Sequence, residues 1–444
     1  MKRLSYLALP LGALFVGFGC GGSGEAGGTG GETTGGAGGK GGGSASTAGS
    51  TSSSTSSSGG GAGSTSTSSS TSTSSSTSSS SSTSSSSSTS SSTSSSSSTS
   101  SSSSTSSSSS TSSSSGGVAP TVCSFASGLN IAWVNFANDV PNPDLATFKT
   151  IFENTYAAGG RVVRWWFHTN GTVTPGYQGN GMAQDLPASH TAGVKAILDA
   201  AHAAHVAVNI SLWSFDMEQG STENISAATT TNNTNLLTVD AYRQAYIDNY
   251  LTPLVTALKG YPGLYSYEIF NEPEGMTPSG WAQNKVIPES AIQKTVNWLA
   301  SAIHTADPSA LVTSSAQTFQ TCSGVSGMAS DYSDAALVAA GGKANGTLDY
   351  YEVHYYESNG TQYSCFLHPA SYWKLDKKLV MGEFYSAATD GVAQDSAYTY
   401  LYDNGYNGAW AWSYTEVAPY TWPSMQVPMQ DLYTAQTATV GSCP

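Results

Sequence analysis

The stretch YEIFNEPE, residues 267–274, and the stretch LVMGEF, residues 379–384, decide the fold that this sequence predicts. Each is an apolar run with the composition of a buried strand, and each leads to a glutamate, Glu272 or Glu383. Near-continuous apolar runs are typical of parallel strands that are covered on both faces. The carboxyl ends of such strands carry the catalytic groups of an α/β barrel. The two runs therefore predict a barrel with a pair of carboxylates at its mouth.

Further apolar, β-branched or aromatic runs lie at spacings that leave room for a helix between them. The complete set predicts strands at 128–134, 161–166, 206–212, 264–270, 310–315, 348–354, 378–382 and 407–412. Helix-like segments lie between them, for example at 190–204, 240–258, 288–306 and 391–403. This alternation indicates an α/β fold, a (β/α)8 TIM barrel over residues 118–444. A doubly wound sheet is the alternative.

The N-terminal part of the chain has the pattern of an exported and tethered protein. Residues 1–19 combine a basic start with a short apolar segment and small residues, as in a signal peptide. Cys20 follows directly and resembles the acylated cysteine of a bacterial lipoprotein. Residues 20–117 are almost entirely Gly, Ser and Thr, which cannot bury a core, and they predict a disordered linker. We expect an exported protein, lipid-anchored at the bacterial cell surface or outer membrane; secretion without a lipid is the alternative.

The charge of the chain excludes one class of partner. It has 444 residues with 29 acidic and 15 basic side chains, a formal net charge of −14. No basic patch is present that could neutralise phosphates, so we expect no nucleic-acid partner. The low charge and the many Trp and Tyr residues suit a neutral, stackable ligand such as a sugar.

Four cysteines remain when Cys20 is set aside, and an even number in an exported domain predicts two disulfides. Three pairings are possible, and we favour Cys123–Cys443 with Cys322–Cys365. Zinc binding is the competing interpretation, but the chain has no C-x-x-C spacing. Its histidines also lack the H-E-x-x-H pattern of a metal-dependent hydrolase. We therefore expect neither a metal nor another cofactor.

The motifs of the domain, taken in order, resemble glycoside hydrolase family 5 of clan A. Its members are (β/α)8 barrels that hydrolyse β-linked polysaccharides with retention. The matching residues are Arg164 in VVRWWF, Asn271-Glu272-Pro273, His354 and Tyr356 in EVHYYE, Glu383 in VMGEF and Trp412 in AWAW. The resemblance covers the domain from end to end and implies an enzyme with a polysaccharide substrate.

The resemblance implies that Glu272 is the acid/base and Glu383 the nucleophile. A retaining mechanism needs these two carboxyls about 5–5.5 Å apart. Arg164 would lower the pKa of the nucleophile by its charge and its hydrogen bonds. Burial and the neighbouring negative charge would keep the proton on Glu272 near neutral pH.

The resemblance also implies a set of supporting residues. Asn271 would bind the sugar 2-hydroxyl, and Trp412 would form the floor under the sugar that is cleaved. His354 and Tyr356 would position the nucleophile and line the site. Three further residues near the expected mouth are candidates for sugar subsites: His168, Trp213 and Glu274.

The substrate is predicted from two loops of the expected mouth. The stretch NISLWSFDMEQ, residues 209–219, lacks the histidine that cellulase-like branches carry after the third strand. The stretch RWWFHTNG, residues 164–171, looks more like the Arg-x-Trp-x-Phe of the mannanase-like branch. We therefore favour a monomeric endo-β-1,4-mannanase, with an endo-β-1,4-glucanase as the alternative. A non-catalytic, glycan-binding surface lipoprotein is the alternative from another class, although such a protein would be expected to lose Glu272 or Glu383.

Overall fold

Eight parallel strands close into a barrel in their sequence order, each paired with the next and the last with the first. The computed structural model describes residues 122–416 and 418–443. The strands are β1 (Ala126–Ala132), β2 (Val162–Thr169), β3 (Ala207–Ser214), β4 (Leu264–Asn271), β5 (Val312–Ala316), β6 (Tyr351–His354), β7 (Leu379–Glu383) and β8 (Gly408–Ala411).

The helices form the outer layer of the barrel. They are α1 (Leu145–Ala157), α2 (Ala188–Ala203), α3 (Ala227–Thr238), α4 (Asp240–Tyr246), α5 (Thr252–Leu258), α6 (Glu289–Ala306), α7 (Asp334–Gly341), α8 (Ala397–Asp403), α9 (Trp422–Ala435) and α10 (Thr437–Val440). A π-turn, Ile247–Leu251, joins α4 to α5 in one continuous helical segment. Between β6 and β7 the described chain forms short 3-10 turns instead of an α-helix. Among the described residues, no helix combines the length and the apolar character that crossing a bilayer requires.

The predicted (β/α)8 barrel is confirmed, and each predicted strand overlaps the observed one. The buried strands stand out because their side chains are covered both inside and outside the barrel, which selects apolar residues at consecutive positions. The calls on the N-terminal part, namely the signal peptide 1–19, the lipid attachment at Cys20 and the linker 20–117, lie outside the described residues.

The N-terminal end of the barrel is closed by its own hydrophobic cluster. This cluster contains residues from the beginnings of the strands, together with three large aromatic side chains that are fully or almost fully buried: Trp410, Tyr265 and Tyr350. Gly128 allows the close packing, because a Cβ at this position would lie 1.7 Å from the Val162 carbonyl oxygen. With this end filled by side chains, the opposite end is the one that can be open to substrate.

A disulfide joins Cys123, just before β1, to Cys443, just after α10, with the two Cα atoms 5.4 Å apart. This is the pairing that the sequence analysis favoured. The other favoured bridge, Cys322–Cys365, is not formed, and both residues are buried thiols. The two thiols have different charged neighbours. Besides burial, the charges of Glu274 and Asp331 raise the pKa of the Cys322 thiol, whereas the charge of Asp390 raises the pKa of the Cys365 thiol. The expected Cys322–Cys365 bridge was therefore wrong, because an even number of cysteines does not show which thiols approach each other.

We predict that the disulfide between the two ends of the domain stabilises the fold. Replacing Cys123 and Cys443 together by Ser should lower the free energy of unfolding by roughly 2–5 kcal/mol, because the unfolded chain gains freedom. Denaturant unfolding measures this change. A reductant should lower the midpoint of the wild-type protein and leave that of the double variant unchanged. An equal response of both proteins to the reductant would contradict the prediction.

Candidate active site

The two glutamates of the motif pair lie at the open end of the barrel. Glu272 directly follows β4, and Glu383 is the last residue of β7. His354, the last residue of β6, lies beside both. One oxygen or nitrogen atom from each of these three side chains lies within 4.8 Å of the others. Such an upper limit for the closest carboxyl oxygens is compatible with the about 5 Å of a retaining pair, and it is short of the wider gap that an inverting pair needs for a water.

Arg164 of β2 is fully buried in the barrel interior, and all five of its N–H donors have partners. Nε and one Nη2 hydrogen bind the two oxygens of Glu268 at 2.7 and 2.6 Å. Nη1 donates to Glu383 Oε1 at 2.6 Å and to Asn130 Oδ1 at 2.9 Å. Nη2 also donates to Asn271 Oδ1 at 2.7 Å. The guanidinium therefore fixes residues from β1, β4 and β7 relative to one another.

Both oxygens of Glu383 receive hydrogen bonds. Arg164 donates to Oε1, and the Tyr356 hydroxyl donates to Oε2 at 2.7 Å. Burial raises the pKa of Glu383, and the positive charge of Arg164 and the Tyr356 hydrogen bond oppose this rise. Arg164 thus acts in the predicted direction, although burial has the larger effect on the pKa. The two donors favour the ionised form of this carboxyl.

Glu272 has a different environment from its partner. Burial and the charge of Glu383 raise the pKa of Glu272 well above its usual value. Its Oε1 is hydrogen-bonded to His354 Nδ1 at 2.8 Å, whereas the same nitrogen is 3.5 Å from Glu383 Oε2. Burial and Arg164 hold the pKa of His354 well below its usual value, so the ring is neutral. His354 therefore supports Glu272 more directly than Glu383, in contrast to the role expected from the resemblance.

The backbone of Glu272 adopts a left-handed conformation, with φ 44° and ψ 54°. A non-glycine residue in this region costs about 1–3 kcal/mol, and such residues are enriched at functional sites. The conformation ends β4 sharply and starts the 3-10 turn Pro273–Met276. The abrupt turn fixes this carboxyl at the mouth instead of leaving it on an extended strand.

Asn271 is held by contacts on both sides of its amide. Its Oδ1 accepts from Arg164, and its Nδ2 donates to the Ser214 hydroxyl at 3.1 Å. Ser214 in turn donates to Asp216 at 2.6 Å, and burial raises the pKa of Asp216 to about 7. Among the described residues, the Asn271 amide nitrogen has no second acceptor.

Aromatic side chains form one wall of the mouth. Trp412 follows β8 and is half-buried, and its ring lies 6.1 Å from Trp133 and 5.6 Å from Trp166 between centroids. Phe136 extends the group, with its centroid 4.8 Å from that of Trp133. Half-exposed indole rings beside a pair of carboxylates suit the apolar face of a sugar ring.

The structure does not support all of the candidate subsite residues. His168 and Trp213 are buried in the core, where His168 bonds Thr174 and Tyr246. Glu274 accepts hydrogen bonds from the hydroxyls of Thr321 and Tyr332, and it thereby fixes a loop. Burial in the core makes His168 and Trp213 poor subsite residues, because nearness to a strand end does not determine the direction of a side chain, whereas the partly buried Glu274 stays a prediction.

The sequence analysis missed two buried carboxylates beneath the site, Glu268 and Glu352. Both lie in the barrel interior and are fully buried. Each is a glutamate within an otherwise apolar strand, in YEIF and in YEVH. A charge in a buried strand needs a partner, and that was the available signal.

The same residues could in principle bind a metal ion, because Glu272, His354 and Glu383 bring ligand atoms together. The contacts of Glu383 do not fit this use, since Arg164 and Tyr356 already donate to its two oxygens. The guanidinium also repels a second cation at this place. The side chains therefore fit an acid and a paired carboxylate better than a metal centre.

Comparisons with known proteins agree with this geometry. Residues 124–416 match the family model described as cellulase, glycosyl hydrolase family 5. The chain is 33% identical over 320 residues to a mannan endo-1,4-beta-mannosidase of Mytilus edulis, covering 66% of this chain and 84% of that protein. It is 33% identical over 316 residues to a mannan endo-1,4-beta-mannosidase of Cryptopygus antarcticus, covering 65% of this chain and 80% of that protein.

A solved structure with a similar fold is the beta-mannanase from the blue mussel Mytilus edulis, with a TM-score of 0.63 and 31% identity. The superposition covers 70% of this chain and 92% of the mussel enzyme. The family model spans most of the barrel, and the matched relatives are covered over most of their length. The chain therefore belongs to glycosyl hydrolase family 5.

Proposed function

We propose that this protein is a retaining endo-β-1,4-mannanase, with Glu383 as the nucleophile and Glu272 as the acid/base. The observation that carries the proposal is the unequal environment of the two carboxyls. Glu383 accepts hydrogen bonds on both oxygens, from a guanidinium and a phenol, whereas Glu272 contacts a neutral histidine. One carboxyl is thereby kept ionised and the other protonated, as a double displacement requires.

In the first step, an oxygen of Glu383 attacks the anomeric carbon and the glycosidic C–O bond breaks. Glu272 gives its proton to the departing oxygen, so the products are a glycosyl ester on Glu383 and a sugar with a free hydroxyl. Arg164 and Tyr356 hold the attacking oxygens in place. Asn271, fixed by Arg164 and Ser214, is oriented to bind the 2-hydroxyl of this sugar.

In the second step, Glu272 is a carboxylate and accepts a proton from water. The water oxygen attacks the anomeric carbon, the ester bond to Glu383 breaks, and both carboxyls return to their starting states. The charge on Glu383 is absent in the intermediate. Because this charge is one cause of the raised pKa of Glu272, the pKa of Glu272 is lower in the intermediate than in the resting protein. Glu272 can therefore give up its proton in the first step and be a carboxylate in the second.

Mannan is the favoured substrate for two reasons. Both curated relatives are named mannan endo-1,4-beta-mannosidases, and the loops after β2 and β3 have the sequences that favoured the mannanase-like branch. Because the barrel is shared with enzymes that act on other glycans, specificity must come from such loops. A non-catalytic role is less consistent with a complete and hydrogen-bonded pair of carboxyls.

We also propose that the enzyme is exported and anchored by a lipid on Cys20, with residues 20–117 as a linker and 118–444 as the catalytic domain. The support is the sequence: a basic start, an apolar segment, and then a Gly/Ser/Thr-rich stretch. We propose a monomer, since the predicted site residues all come from one barrel.

We predict that Glu272→Ala acts mainly on substrates with poor leaving groups. Activity on mannan should fall by about 10²–10⁴-fold, because the departing oxygen loses its proton donor. Bond cleavage in an activated aryl mannoside, whose leaving group needs no proton, should change far less. The alkaline limb of kcat/KM on mannan should also disappear, since activity falls as pH rises through the raised pKa of Glu272. Equal losses on both substrates would contradict this role.

We predict that the purified protein releases reducing sugar from galactomannan and glucomannan. Carboxymethylcellulose, barley β-glucan and xylan complete the panel, and Glu383→Gln is the matched control, expected to be inactive and folded by circular dichroism. Release from the glucans without release from galactomannan would replace the mannanase proposal by the glucanase alternative. Binding of mannan without hydrolysis by the wild-type protein would favour the non-catalytic alternative.

We predict that Cys20 carries the lipid. In a bacterial host, the wild-type protein should incorporate labelled palmitate and fractionate with membranes, whereas Cys20→Ser should incorporate none. Equal labelling of the two proteins would exclude Cys20 as the attachment site.

A further inference from the structure

Three carboxylates, one of them the proposed nucleophile Glu383, surround a single cation, Arg164. Arg164 lies 2.6 Å from Glu268, 3.1 Å from Glu352 and 2.6 Å from Glu383, between the closest charged atoms. Arg164, Glu268 and Glu352 are fully buried, and Glu383 is nearly so. If all three carboxyls were ionised, two negative charges would be left uncompensated in a medium of low polarity. Such an arrangement is costly, and a buried group in this position normally takes up a proton instead.

The hydrogen bonds of Arg164 show which carboxyl lacks a donor. The five N–H hydrogens are used by the two oxygens of Glu268 and by Glu383, Asn130 and Asn271. Glu352 Oε1 is 3.1 Å from Nε, but the single hydrogen of Nε points to Glu268. Within the described residues, Glu352 Oε1 is buried and has no hydrogen-bond partner.

The other neighbours of Glu352 are equally poor at stabilising a negative charge. Its Oε2 accepts one long hydrogen bond, 3.3 Å, from the Asn209 amide of β3. On the β7 side, Oε1 faces the backbone of Gly382, where a Cβ would lie only 2.3 Å away. Glycine at this position therefore makes room for a carboxyl but offers it no donor. The charged neighbours are Arg164, Glu268 and Glu383, and the phenols of Tyr265 and Tyr350 also interact with it.

We propose that Glu352 is a protonated, neutral carboxylic acid in the resting protein, and that it is a positioning residue for Arg164. Its side chain packs against the side of the guanidinium that faces β6. Because it is neutral, it does not compete with Glu383 for the positive charge of Arg164. Burial and the charge of Glu268 raise the pKa of Glu352 well above its usual value, in agreement with this geometry. Glu268 is the ionised counterpart, because its two oxygens take two hydrogens of Arg164 and one from the Ser315 hydroxyl at 2.7 Å.

The consequence for catalysis rests on the proposed function of Glu383. With Glu352 neutral, the charge of Arg164 is divided between Glu268 and Glu383 only. An additional negative charge at Glu352 would disfavour the ionised form of Glu383, which is the form that attacks. The buried proton thus contributes to keeping the nucleophile ready at neutral pH.

Proton release on unfolding tests the protonation state without any substrate. The pKa of Glu352 is higher in the folded than in the unfolded protein, so unfolding near pH 7 should release its proton, and stability should fall as pH rises. Glu352→Gln should release about one proton fewer than the wild type, measured as the slope of unfolding free energy against pH or by calorimetry in buffers of different ionisation enthalpy. An unchanged proton release in this variant overturns the proposal, whether or not the protein hydrolyses mannan.

The pH–rate profile tests the effect of the charge of Glu352 on Glu383, with Glu268→Gln as the matched control. Glu268→Gln removes an ionised neighbour and should move the acidic limb of kcat/KM, which reports Glu383, to lower pH. Glu352→Gln replaces a neutral group by a neutral amide, so its acidic limb should stay at the wild-type pH. A shift as large as that of Glu268→Gln would mean that Glu352 is ionised.

If a variant does not fold, neutron diffraction from wild-type crystals decides: a deuterium on Glu352 and none on Glu268 supports the proposal, and none on Glu352 overturns it.

Discussion

The hydrogen bonds and ion pairs of the buried Arg164 guanidinium hold together the strand ends at the open end of the barrel. A buried arginine is stable only if its charge and its hydrogen bonds are satisfied. Here the partners come from different strands, so satisfying the arginine also sets the distances between the strand ends. Removing one partner of such a pair typically costs about 3–5 kcal/mol, because a buried charge is left alone. Folding and the geometry of the site are therefore held by the same set of contacts.

The two proposed catalytic carboxyls have the same chemistry and differ only in what surrounds them. Glu383 ends a regular strand and receives two hydrogen bonds, whereas Glu272 lies in a left-handed turn beside a neutral histidine. The backbone strain at Glu272 is tolerated because the packed barrel determines the path of the chain on both sides of it. The fold thus gives two identical side chains the different environments that the proposed acid/base and the proposed nucleophile need.

The sequence predicts the barrel well because buried parallel strands leave continuous apolar runs, as in 264–270 and 378–382. The sequence also predicts that the site residues lie together, since the carboxyl ends of the strands of a barrel meet at one face. These residues are Glu272, Glu383, Arg164 and Tyr356. What the sequence does not contain is the direction of side chains within the barrel. Glu352 stands in the quoted motif EVHYYE, yet its proximity to Arg164 depends on the register of β2 and β6. The Cys322–Cys365 pairing was wrong for a similar reason, because a count of cysteines does not contain the distance between two thiols.

The bridge between Cys123 and Cys443 also determines how the domain responds to pulling. Val122, Cys123 and Cys443 belong to the hydrophobic cluster at the closed end, opposite the proposed catalytic pair. A mechanical load entering there meets the disulfide before it reaches the hydrogen bonds of β1. The covalent bond shares such a load with the segment after α10, so less of it acts on the pairing of β1 with β2 and β8. A tether attached at this end would leave the open mouth facing away from its point of attachment.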